Sequence, residues 1–254
     1  MERIAVVTDT GSNLSFAQAK ELGIYLLPLQ ITIDETTYQD TLEISTQDIY
    51  NELANGKMPK TSMAAYQKIY DLFEELKKDY DTIFAVPLTN GLSTNASTMQ
   101  SIARELEMNV HVIDMYATCA LEKHVAIWIK KLVDEHKSSE EILKIIQPAI
   151  DESNSLILVK NLQHLKRGGR LTPMAAALAG LLKIYPVLHI NKSTEGRIDV
   201  LNKVRTEKRA DAYAIDKIMD DIDIQHTHIY IIHSNFLEGA DHFKKCWLNR
   251  YIGD

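Results

Sequence analysis

The chain has 254 residues, of which 45% are apolar and 25% charged. That is globular composition, long enough for two domains, and it excludes disorder, a coiled coil and any need for a metal or disulfide staple. A formal net charge of −7 argues against a protein that coats nucleic acid, because phosphate neutralisation needs a basic face, although a local basic patch stays compatible with it. The opening MERIAVVTDT has no long apolar h-region, so a strand rather than a signal peptide is expected there. Ile4–Val7 is that strand, ending in the polar loop Thr8–Ser12. A helix from about Ser15 to Leu22 follows, then an extended run from Leu26 to Ile33 in which Pro28 suggests an edge or a bulge. Helices are predicted near Thr46–Ala54 and Ala64–Lys78, separated by a loop, Met58–Ser62. Thr82–Val86 reads as a second buried strand, followed by the loop Pro87–Ser93 and a helix to about Glu107. Val110–Ile113 is a third strand, ending at Asp114, and two helices span roughly Thr118–His136 and Ser139–Ile150. Buried strands alternating with helices predict a largely parallel sheet.

The pattern changes near Ser153, which places a first domain at residues 1–152 and a smaller α+β domain at 153–254. Leu156–Val159 is a strand, and the loop Leu165–Leu171 precedes a helix capped by Thr172 with Pro173 as its first residue. That helix, Met174 to Leu182, is smooth enough to line an apolar slot or to pack tightly in a core. Tyr185–Ile190 and Ile198–Val204 flank Ser193–Gly196 as a hairpin-like pair. A helix at Thr206–Met219, a strand at His228–Ile232 and a helix at Asn235–Leu248 complete the prediction. No apolar run approaches the roughly 20 residues of a membrane span. Cys119 and Cys246 lie far apart without CxxC spacing and read as reduced cytosolic thiols, so a cytoplasmic location is expected, with transient membrane contact left open.

Ligands of parallel sheets bind outside the carboxyl ends of the strands. Three polar loops therefore converge there: Thr8–Ser12, Pro87–Ser93 and Asp114–Thr118. Asn90, Gly91, Ser93 and Thr94 open a helix whose first N–H groups suit an anion, with plain helix capping by Ser93 as the alternative. Thr61 and Ser62 stand in a similar place, ahead of another helix, and each hydroxyl can donate to a carboxylate oxygen. Together these supply neutral donors without a nearby general base. Arg167-Gly168-Gly169-Arg170 offers guanidinium groups for a carboxylate or phosphate, or is simply a solvated basic turn. The pattern of a phosphate-binding P-loop is absent. Lys203, Arg205, Lys208 and Arg209 form a basic cluster on an acidic chain: a solvated face, or a docking patch for an acidic or phosphate-bearing partner. His226 and His228 lack a third ligand of matching spacing, so no metal site is expected. Asp9 and Asp114 end strands, where capping loop N–H groups is the plainer role and catalysis the sharper one.

In this order, the segments resemble the DegV family, the fatty-acid-binding subunits of bacterial fatty acid kinase. Thr8-Asp9-Thr10-Gly11-Ser12-Asn13-Leu14 is similar to the family's opening D-S-x-x-D-L segment, and Lys60-Thr61-Ser62 to its T-S motif. Asn90 to Ser97 resembles S-G-L-S-G-T-x-x-S, and Val112-Ile113-Asp114 matches the V-I-D strand end. Leu162–Arg170 resembles L-x-x-L-x-x-G-G-R, Leu182–Leu188 resembles L-x-I-K-P-I-L, and Lys203-Val204-Arg205 resembles K-x-R. The resemblance implies two α/β domains, DegV-like, with an acyl chain buried between or beneath them. It implies carboxylate binding by Thr61, Ser62 and Ser93, with Arg170 in support. It further implies an ATP-dependent kinase subunit as partner, which supplies ATP and metal and phosphorylates the acid. There are departures: Asn13 stands where the family favours an acid, Thr94-Asn95 where Gly-Thr is usual, and Tyr185 where a lysine is usual. The family pattern continues past Asp254 into a strand and an H-x-G-P-G segment, so weaker retention of the acid is expected of the chain as it stands.

The leading reading is a non-catalytic carrier of one long-chain fatty acid without a cofactor. Each buried methylene is worth about 0.8 kcal/mol, so an acyl chain of about 16 carbons gains on the order of 10 kcal/mol before the costs of binding. The rivals are a serine hydrolase or esterase with Ser93 as nucleophile, for which no G-x-S-x-G elbow or assignable base is present, and an interaction module acting through the basic cluster.

Overall fold

The strands at the N-terminus are continuous apolar runs, and the alternation of their side chains decides how the layers stack. β1 (Ile4–Asp9) is buried along its whole length. It is followed by α1 (Phe16–Leu22), opened by a reciprocal Ser15–Gln18 capping box, and by β2 (Tyr25–Leu27), β3 (Gln30–Ile33), β4 (Thr36–Gln39), α2 (Thr46–Ala54), β5 (Lys60–Ser62) and α3 (Tyr66–Leu76). Then come β6 (Thr82–Val86), α4 (Asn95–Glu105), β7 (Asn109–Val112), α5 (Ala120–Asp134) and α6 (Ser139–Glu152). In the computed structural model, residues 2–181, 183–223 and 226–252 are described.

The chain divides into two compact units, Met1–Asn154 with Asn191–Arg197, and Ser155–Ile190 with Ile198–Asp254. In the first, a parallel sheet has the order β2-β1-β6-β7. Successive strand residues point to opposite faces. Val6, Phe84 and Val86 therefore pack with Val125, Ile129, Ile142 and Ile146 of α5 and α6. Ala5, Val7, Ile83 and Ala85 pack with Ile69, Phe73, Met99 and Ile102 of α3 and α4. Both faces are covered, as a parallel sheet requires.

A second, antiparallel sheet of order β4-β3-β5 departs from the sequence expectation. The extended run Leu26–Ile33 is two strands of two different sheets, broken at Pro28 and Leu29, because proline cannot donate to a ladder. Thr61 and Ser62, expected in a loop, form the β5 edge of this sheet: Thr61 is opposite Ile31 and Ser62 opposite Gln30.

The second unit contains most of the sheet β10-β9-β8, formed by β8 (Asn154–Leu158), β9 (Tyr185–Asn191) and β10 (Asp199–Val204). The expected hairpin is present as an antiparallel β9–β10 pair with a bulge between Val200 and Asn202. The helices are α7 (Leu162–Gly168), α8 (Pro173–Leu178), α9 (Glu207–Asp221) and α10 (Leu237–Ile252). Three expectations are corrected. Residues 165–168 are helical rather than loop, because Asn161 caps α7 and Gly169 ends it at φ 74°. The smooth apolar helix stops at Leu178, and Leu182 lies outside the described residues. His228–Ile232 forms no strand: it pairs with no sheet among the described residues, and Ile232 is 51% exposed. Thr172 does cap α8, accepting from the Ala175 N–H at 3.2 Å, with Pro173 in the first turn.

Candidate functional site

The loop after β6 is built by two aspartates at the carboxyl ends of the strands that flank β6: Asp9 is the last residue of β1 and Asp114 lies two residues past β7. Asp9 is fully buried. Its Oδ1 accepts from the Gly11 N–H at 2.8 Å, and its Oδ2 accepts from Leu88 N–H at 2.8 Å and Asn95 Nδ2 at 2.6 Å. Burial pushes the Asp9 carboxyl up, and the N–H donors of Leu88, Asn95 and Gly11 pull it back down. Asp114 accepts from Asn90 N–H at 3.0 Å and Tyr116 N–H at 2.8 Å. Both aspartates thus fix loop backbone.

Within this frame, the backbone N–H groups of Leu92 and Ser93 donate to the Thr89 carbonyl, each at 3.0 Å. The N-cap of α4 is Thr94 rather than Ser93, and no side chain caps the helix from that position. Ser93 Oγ instead accepts from Asn95 N–H at 3.2 Å. A helix start leaves its first N–H groups without intrahelical partners and carries partial positive charge, so the turn suits an anion. Ser93 is half-buried, and Asn90 and Thr94 are exposed. Gly91 has a separate, steric reason to be glycine: a Cβ there would overlap the backbone of Gly196, and a Cβ on Gly196 would overlap Thr89 Oγ1. The 191–197 tip is further tied to its unit by an ion pair from Lys192 to Asp151 at 2.5 Å.

The end of β5 reaches this same turn. Met63, next to Ser62, takes hydrogen bonds from Thr94 Oγ1 and Thr98 Oγ1, both at 3.3 Å. The structure therefore brings the strand carrying Thr61 and Ser62 to the helix start carrying Ser93 and Thr94. Opposed residues of antiparallel strands share a face, so Thr61 faces with Ile31 and Tyr38, and Ser62 with Gln30 and Gln39.

One buried group of this region, Glu122, escaped the sequence reading. Thr8 donates to the Val86 carbonyl at 2.7 Å and to Glu122 Oε1 at 3.2 Å. Glu122 lies in the first turn of α5 and is fully buried. Burial first, and the Asp9 charge second, push its carboxyl well above the usual range.

In the second unit, Arg170 is exposed and donates to the Gly168 carbonyl at 2.7 Å. Lys203, Arg205, Lys208 and Arg209 are all exposed, and among the described residues none of them makes an ion pair. His226 pairs with Asp223 at 2.8 Å, and no group of three or more metal-ligating side chains occurs among the described residues. No helix among the described residues is long and apolar enough to cross a membrane.

The layered parallel sheet, with a polar turn at a helix start beyond the carboxyl end of β6, defines the class: an α/β protein with both faces of its parallel sheet covered. A family model described as "Uncharacterised protein, DegV family" matches residues 3–252, and the chain belongs to the DegV family. A DegV domain-containing protein of Halalkalibacterium halodurans is 32% identical over 247 residues, covering 95% of this chain and 86% of that protein. Among solved structures, a fatty acid binding DegV family protein of Streptococcus agalactiae has a TM-score of 0.88 at 28% identity, covering 100% of this chain and 90% of that one. DegV of Bacillus subtilis, a fatty acid binding protein, has a TM-score of 0.85 at 27% identity, covering 99% and 89%.

Proposed function

We propose that this chain is a carrier of one long-chain fatty acid whose carboxylate is held by Thr61 and Ser93 at the start of α4. The observation that carries the reading is the Ser93 turn. It is pinned by two aspartates, lies at a helix start whose N-cap residue Thr94 makes no side-chain cap, and carries the Ser93 hydroxyl as a neutral donor. The esterase alternative has no base there, since the Ser93 hydroxyl is paired with the Asn95 N–H and with no histidine among the described residues. The fatty acid binding relatives from Streptococcus agalactiae and Bacillus subtilis support a lipid as the ligand. Thr61 is preferred to Ser62 because it shares the face of buried Ile31 and of Tyr38, where an acyl chain finds apolar surface.

The finer part of the proposal is that the bound acid is presented to an ATP-dependent kinase subunit in the bacterial cytoplasm, with this chain non-catalytic. Lys208 and Arg209 stand in the first turn of α9, capped by Thr206. Cations at a helix N-terminus oppose the macrodipole and do nothing for the fold, which favours a partner as the reason for the cluster. The test is organic-solvent extraction of the purified protein followed by mass spectrometry. A fatty acid in about 1:1 ratio is expected for a single buried ligand; a protein that neither retains nor takes up a fatty acid sinks the reading.

A further inference from the structure

The polar set of Thr8, Asp9 and Glu122 lies behind the anion turn, and a carboxylate site alone gives no reason for its second acid. Glu122 Oε1 accepts from Thr8 Oγ1, whereas Glu122 Oε2 is buried without any hydrogen-bond partner. Among the described residues no cation pairs with Glu122; the groups that face it are Asp9, Thr8 and the Cys119 thiol. A methyl group at Gly11 would lie 2.7 Å from Asp9 Oδ1 and 3.2 Å from Glu122 Oε2, so the two acid oxygens border one point. Two ionised carboxylates confined there would repel each other without water to screen them. Asp9 has three N–H donors to hold its charge and Glu122 has a single hydroxyl. The proton therefore resides on Glu122.

We infer that Glu122, protonated on Oε2 and donating to Asp9, is a positioning residue for the Leu88–Asn95 turn that presents Ser93. Asp9 Oδ2 grips both ends of that turn, Leu88 N–H at one and the Asn95 amide at the other. The Glu122 proton fixes the Asp9 rotamer from behind and cancels a second charge beside the turn that carries the Ser93 hydroxyl. This deepens the carrier reading and rests on it for the ligand, but not for the proton.

The experiment compares wild type, Glu122→Gln and Glu122→Met after delipidation. Gln keeps a donor toward Asp9 and an acceptor for Thr8; Met keeps the volume and neither. Palmitate affinity should stay within about twofold of wild type in E122Q and fall about tenfold or more in E122M, with unchanged far-ultraviolet circular dichroism. Rescue by Gln separates a hydrogen-bonding role from simple packing. The infrared difference spectrum of wild type against E122Q at neutral pH should contain a protonated-carboxyl C=O band. An E122M protein that binds as wild type, an E122Q protein as weak as E122M, or no such band each overturns the inference. Should E122M not fold, the band and the E122Q affinity still decide. Should wild type take up no palmitate, the carrier reading fails by itself, and the band together with the Leu88 and Asn95 amide shifts in E122Q still tests the proton.

Discussion

Ser93 shows how little side-chain chemistry the proposed acid-holding site requires. Its hydroxyl is a single neutral donor, half-buried, and its backbone N–H is committed to Thr89. Replacing it with alanine leaves the Asp9 and Asp114 contacts intact and removes two things, the proposed donor to the acid and the acceptor of the Asn95 N–H. Leaving a buried carboxylate oxygen unpaired costs about 1–3 kcal/mol. We therefore predict that Ser93→Ala weakens palmitate binding by about five- to more than hundredfold with little change in Tm. A titration showing equal affinity would remove Ser93 from the site. The glutamate behind this turn was invisible to sequence reading for a plain reason. An acid in the first turn of a helix normally faces water and favours the macrodipole. Only the tertiary packing of α5 on β1 buries Glu122, and no local pattern signals it. Asp9 and Asp114 were placed correctly at strand ends, because loop N–H groups that need acceptors follow every parallel strand.

At the level of elements, periodicity served well wherever one face or both were covered. β6 at Thr82–Val86 and α2 at Thr46–Ala54 begin and end where the pattern put them. It failed where pairing, rather than burial, creates the element. β5 has three exposed residues and exists because β3 offers an edge, so Thr61 and Ser62 looked like loop. The opposite failure occurred at His228–Ile232, an apolar-rich run that reads like a strand and is in no strand of the sheets among the described residues. The hinge between β10 and α9 carries the basic cluster, and Arg205 lies there without structural partners among the described residues. Charge reversal at Arg205 is expected to leave palmitate bound, since the residue is exposed and is not among the proposed carboxylate ligands, and to lower acyl-phosphate formation by a partner kinase supplied with ATP. An assay in which R205E loses the lipid yet couples normally would refute this division of labour.

For the molecule as a whole, the buried acid gives a signature in its pH dependence. The folded state raises the Glu122 carboxyl well above its ordinary 4.5. A group bound more tightly to its proton when folded contributes stability that is complete below the unfolded pKa and is lost as pH rises through the folded one. Glu122→Gln has no proton to lose. The Tm of E122Q minus that of wild type should therefore climb as pH increases from about 5 to 8, while shifts at exposed groups common to both cancel. A flat difference would mean that Glu122 is ionised in the fold.

The contact of Gly196 with Thr89 and Gly91 has a consequence for how the protein is made. The first unit closes with Asn191–Arg197, so its chain is interrupted by everything from Ser155 to Ile190. A ribosome must add roughly forty residues after Asn154 before that tip emerges, which at about 5–20 residues per second takes several seconds. During that interval the parallel sheet and both of its cores have all their residues, yet the turn that bears Ser93 lacks the backbone that seats it. A nascent chain can therefore collapse early, while the turn that bears Ser93 is seated only once the Asn191–Arg197 tip has emerged.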